Sequence, residues 1–199
     1  MNMSVRTGPV TRDVSTVALG LAKILVGPSA SNIASNTQVL DETANSMGAL
    51  NSTNFTSNVE YWRLLSGFPQ LEDLVIPLSE TAMLECEFKE LKPQNLAYAR
   101  GLDASTGYDE AHSGEIPLGT ISTPAYIRME AIYTYPNKTN HMYIIFPRAQ
   151  VTSSVEISLA TEDNANVPLT FEAKRADSDL GADGNEIWDD SPLGRIYFN

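Results

Sequence analysis

Val151, Ser153, Val155, Ile157 and Leu159 alternate with Thr152, Ser154, Glu156 and Ser158. An acidic, amide-rich turn follows, Thr161-Glu162-Asp163-Asn164-Ala165-Asn166. Val167-Pro168 then opens a second alternating run, with Leu169, Phe171 and Ala173 set against Thr170, Glu172 and Lys174. A period of two is the mark of strands with one dry face and one wet face. The stretch reads as an antiparallel hairpin, and nothing in it looks like a reaction site.

The same pattern recurs on either side. Val14 to Val26 is apolar enough for a strand. Phe55 to Leu65 alternates, but Trp62 falls on the polar parity, so that strand carries apolar groups on both faces near its end. Gly67-Phe68-Pro69 marks a turn. Leu71 to Leu78 is interrupted by Pro77, which suits an edge or a bend. Thr81 to Lys89 puts Ala82, Leu84, Cys86 and Phe88 on one face. Pro93 and Gly101 bracket one short helix between Lys92 and Leu102. Ala125 to Tyr135 and His141 to Pro147 form a hairpin around residues 136–140. Gly194 to Phe198 fits a last strand. The expected fold is mainly β, an antiparallel β-sandwich or half-barrel with one short flanking α-helix.

With 199 residues and 42% hydrophobic content, one domain over 1–199 is the default. Residues 1–13 read as an arm. Residues 27–53 are dense in Ser, Asn, Thr, Ala and Gly and read as a long loop. Residues 177–199 open with six acids and no base as far as Asp190, the pattern of a solvated acidic segment. No stretch is long and apolar enough to span a bilayer, and no signal peptide is expected. One cysteine excludes an internal disulfide framework.

The formal net charge is −12. Residues 1–66 carry four basic and four acidic groups, so the whole excess lies beyond them. Such a surface repels nucleic acid, whose binding depends on neutralising phosphates. The aromatic residues Tyr126, Tyr133, Tyr135 and Tyr143 have only Arg128 and Lys138 as bases between Ala125 and Pro147, too few for a stacking groove.

The chain holds no signature of catalysis. His112 and His141 are its two histidines, and neither has a second ligand at helical spacing. No nucleophile elbow, phosphate loop or dinucleotide fingerprint occurs. Cys86 reads as a small core hydrophobe. Residues 177–186 invite a calcium reading, but the register puts Gly181 and Ala182 where a ligand and the glycine should stand. No metal, cofactor or catalytic residue is expected, and the chain is read as a non-enzyme.

A resemblance adds to this reading. Met47-Gly48-Ala49-Leu50, the strand Phe55 to Leu65, the Pro-containing segment to Leu78, the strand to Glu90 and the helix Pro93 to Leu102 resemble the tail tube proteins (major tail proteins) of tailed bacteriophages. So do Arg128-Met129-Glu130-Ala131, the strand ending Ile145-Phe146-Pro147-Arg148-Ala149, and the closing hairpin from Val151 to Ala173. The likeness covers roughly residues 15–176.

The resemblance implies a structural virion protein. Six copies would close a ring by joining their sheets, and rings would stack into a tube for genome delivery. Its partners would be further copies of itself, with sheath, terminator and baseplate proteins. DNA would pass through the lumen without specific binding, and no membrane is involved. The location implied is the virion tail, assembled in the bacterial host cytoplasm. Residues 27–53 would order on assembly as the inter-ring loop. Glu85, Glu87, Glu130, Glu156 and Glu172, on the wet parity, are the candidate lumen acids. The alternatives are another tail or injection-machine component, such as a tube initiator, a terminator or a bacterial contractile-system tube, and an unrelated acidic β-sandwich that binds another molecule.

Overall fold

The computed structural model describes residues 22–90, 92–102, 116, 118, 123–136, 139–152 and 166–199. Among these residues, seven strands and two short α-helices follow in chain order: β1 (Lys23–Pro28), α1 (Ser29–Asn32), β2 (Leu50–Ser66), β3 (Leu71–Phe88), α2 (Pro93–Ala99), β4 (Ile127–Thr134), β5 (His141–Val151), β6 (Val167–Ala173) and β7 (Arg195–Phe198). They form one antiparallel sheet in the order β1-β4-β5-β6-β3-β2, with β7 added beside β5. The mainly-β expectation with a short flanking helix is borne out.

The sheet rolls until its ends meet. Just before β2, the Met47 amide donates to the Ile24 carbonyl and the Val26 amide donates to the Asn45 carbonyl. Leu25 and Ser46 form a bridge in the same place. This seam joins the start of β2 to the free edge of β1. The inner face closes over one core, in which Ile24 and Val26 meet Ile127, Met129, Phe146, Leu169, Phe171, Leu84 and Phe88. Tyr98 and Ala99 of α2 complete it. Pro93 stands in the first turn of α2, where its missing N–H costs nothing.

β4 is buried on both faces, every residue from Ile127 to Tyr133. Its odd positions face the core. Its even positions lie under a second layer made of α1, the turns to Met47 and the C-terminal segment. Leu40 packs on Leu25 and Ile132. Trp188 is wholly buried against Ile33, Ile145 and Ala176, and its Nε1–H donates to the Ile33 carbonyl at 2.6 Å.

Three expectations need correction here. Residues 27–53 are not a loose loop left to order on assembly: Ile33, Leu40 and Met47 are buried within them. The segment beyond Asp177 is not simply solvated, since it folds as two 3-10 turns that carry Trp188 into the second layer. Its other acids do face water, and Asp177 is buried and paired with Arg175 at 2.7 Å. Finally, Leu71–Leu78 and Thr81–Lys89 are not two segments: one strand runs from Leu71 to Phe88 through Pro77. Pro77 sits where β3 pairs with β2 alone, so the N–H it lacks is not missed. The N-terminal arm, most of the expected strand 151–159, and His112 and Glu156 lie outside the described residues.

Candidate functional site

β2 and β3 stay paired along nearly their whole length, from Leu50↔Phe88 to Ser66↔Leu71. β6 accompanies β3 only from Phe88 to Met83. Among the described residues, the rest of the hairpin therefore extends beyond the barrel as a two-stranded arm. From Ala82 to Leu71 its reach is roughly 35 Å at strand rise.

The arm carries apolar side chains on both faces. β3 has extra residues at Leu78 and Asp73, and β2 alternates without interruption. Phe55 points into the core, so Tyr61, Arg63 and Leu65 continue that parity, opposite Pro77, Val75 and Glu72. The other face presents Trp62 opposite Ile76 and Leu64 opposite Leu74. Opposed pairs on one face pack side by side, so these four make a continuous apolar strip. All ten large apolar residues from Tyr61 to Leu78 are exposed, out of sixteen such residues among those described. At about 100 Å² for a half-exposed large side chain, the arm presents on the order of 1,000 Å² of apolar surface. The largest patch on a typical monomer is about 300–600 Å². An isolated two-stranded ribbon is also marginal in water. The arm is built to be covered.

The lumen candidates divide. Glu85 and Glu87 lie on the outer face of β3, where Asn54 and Asn51 donate amide hydrogens to them at 3.2 and 2.9 Å. Glu172 lies opposite Met83 on the same face. Lys174 and the Thr152 hydroxyl donate to it and hold its carboxyl below the ordinary range. Three of the five acids thus share one water-facing surface.

Glu130 is elsewhere. Its side chain is 0% exposed and receives the Arg128 Nε–H at 2.7 Å. The Val39 and Leu40 amides donate to its two oxygens at 3.1 Å each. Arg128 places three further donors on the carbonyls of Asn32, Ser35 and Thr37, each at 2.7 Å. Burial pulls the guanidinium below its ordinary value, and Glu130 opposes that shift. Glu130 therefore cannot line a lumen, and that assignment is withdrawn. The pair fastens residues 32–40 to the sheet. The signal was present in the sequence: opposite charges two apart in a strand share a face, and Ile132 continues that face as an apolar residue.

Nothing in the described residues looks reactive. No group of three or more His, Cys, Asp or Glu residues stands where it could hold a metal ion. Cys86 is buried, and burial lifts its thiol to about 12. No described helix is long and apolar enough to cross a membrane.

Among the described residues, one more surface stands out, at an end of the barrel beside Ala22. Phe55, Leu84, Ala131, Tyr133, Met142 and Ile144 line an apolar cleft of about 190 Å³. β7 forms its rim. Phe198 lies opposite Met142 and Ile196 opposite Ile144, so both point to the cleft side, and both are exposed.

No protein family matches the sequence, and no curated protein matches it. Among solved structures, the chain is similar to one described as "Cryo-EM Structure of an Extracellular Contractile Injection System, PVC sheath-tube complex in extended state". That likeness spans 97% of this chain and 99% of that one, at 10% identity and a TM-score of 0.45, a level that carries no argument about role.

Proposed function

We propose that the chain is a structural, non-catalytic subunit of a phage tail or related injection machine, a tube protein that assembles from copies of itself. The observation that carries this reading is the arm: a long ribbon with apolar side chains on both faces and no cover among the described residues. A solvated monomer gains nothing from such a ribbon. A subunit that must grip a neighbour does. The tail-tube-like order of sequence elements supports the same reading.

In this reading six copies form a ring and rings stack into a tube in the virion tail. The arm, rather than residues 27–53, carries the contact between copies. The face bearing Glu85, Glu87 and Glu172 lines the bore, where like charge keeps passing DNA from adhering. A high-resolution map with those acids outside the bore removes that last element alone.

Negative-stain electron microscopy of the concentrated protein tests the reading. The expected images show six-fold rings and stacked tubes. Particles of another symmetry remove the hexamer, and a persistent monomer removes the assembly.

A further inference from the structure

The arm needs a receptor, and the barrel mouth has the matching properties. It is concave and apolar, and two exposed apolar side chains, Ile196 and Phe198, flank it. β7 pairs with β5 on one edge, and among the described residues its other edge is unpaired. An unpaired edge beside an apolar groove is what strand addition uses: backbone groups supply hydrogen bonds and the groove takes alternate side chains. The arm offers the converse, a ribbon with apolar side chains whose edges are unpaired among the described residues.

We propose that the mouth and its β7 rim receive the arm of a second copy. The proposal rests on the self-assembly reading and names the partner surface within it. The arm of the same copy is not the occupant. It is rooted beside the mouth at Phe55 and Leu84 and runs outward as a paired ribbon, and folding back would break the β2–β3 ladder. Counted over both faces and the turn, the arm's apolar surface is on the order of 1,000 Å², the scale of the roughly 800 Å² that each partner buries in a standard interface, so the second copy has to wrap more than one face. Arm and mouth are different surfaces, so the contact is heterologous. Such a contact propagates from copy to copy and ends only when a ring closes.

Two disabled full-length copies test this. One carries L64E and L74K and keeps its mouth. The other carries I196K and F198D and keeps its arm. Each alone should run as a folded monomer by light scattering and far-UV circular dichroism. An equimolar mixture should give a 1:1 dimer and nothing larger. If the charged pair in β7 prevents folding, F198S alone replaces it and should weaken association by roughly tenfold.

No dimer on mixing, while the wild-type chain assembles, overturns the mouth as receptor and leaves the self-assembly reading standing. Wild-type chain that is monomeric at every concentration overturns both. A mouth variant that assembles normally but melts at a lower temperature also overturns the proposal, because the mouth then serves its own chain.

Discussion

β4 is buried on both faces and the outer part of the β2–β3 hairpin is apolar on both, and they meet opposite fates. In β4 the second face is covered by the chain itself, through Leu40 on Ile132 and the backbone of residues 32–40 on Arg128 and Glu130. In the arm, Trp62, Leu64, Leu74 and Ile76 have nothing over them among the described residues. A strand whose two faces both need to leave water must lie in the middle of a stack of layers. The first region supplies its own layer. The second has no such layer among the described residues, and in our proposal another copy supplies it. Stability and assembly should therefore reside in different parts of the molecule.

The largest stability effect should come from cutting the fastening on β4. Arg128→Ala leaves Glu130 buried and uncompensated, an outcome that costs about 3–5 kcal/mol. Denaturant unfolding should show that loss, or the variant should fail to fold. A loss under about 1 kcal/mol would mean the covering layer does not depend on the pair.

Trp188→Ala should come next. It opens a cavity in the second layer and orphans the Ile33 carbonyl, for about 3 kcal/mol or somewhat more. The damage should be local, with hydrogen exchange rising in residues 29–40 and 176–190 before the inner core. Uniform loss of protection would show that the two layers do not unfold separately.

The smallest effect concerns Cys86. Its thiol has an ordinary value of 9.0 and is raised to about 12 by burial. Between those values the unfolded chain loses this proton and the folded chain keeps it. The stabilising contribution is full below pH about 9 and is lost as pH rises toward about 12. Comparing wild type with Cys86→Ala across that range isolates the slope. A thiol alkylated in the native protein at pH 8 as fast as a free cysteine would contradict the burial.

Much of the barrel was legible because its inner face follows simple alternation. The helix at Pro93, the hairpin around residues 136–140, the strand from Val167 and the last strand all stand where local pattern puts them. The failures share a cause, which is contact between distant segments. Glu130 has the parity of a wet-face residue and is dry only because residues 39 and 40 wrap it. Trp188 was hidden in an acidic run, although a tryptophan among six carboxylates is itself a sign of an anchor. Pro77 suggested a break in β3, but a strand with one bonded edge accepts proline on the other. The arm was half legible. Trp62 on the polar parity announced its second apolar face, but the length over which the hairpin stands beyond β6 is a property of strand pairing that one segment alone does not encode.

Sedimentation velocity over a range of concentrations, on wild type and on a Trp62→Ser, Leu64→Ser variant, tests the central claim most directly. The account predicts that wild type associates into large species. It also predicts that the variant stays monomeric with an unfolding free energy within about 0.5 kcal/mol of wild type, as exposed positions allow. Association unchanged by the two substitutions, or a wild-type chain that never associates, would contradict the claim that the arm is covered by another copy of the same chain.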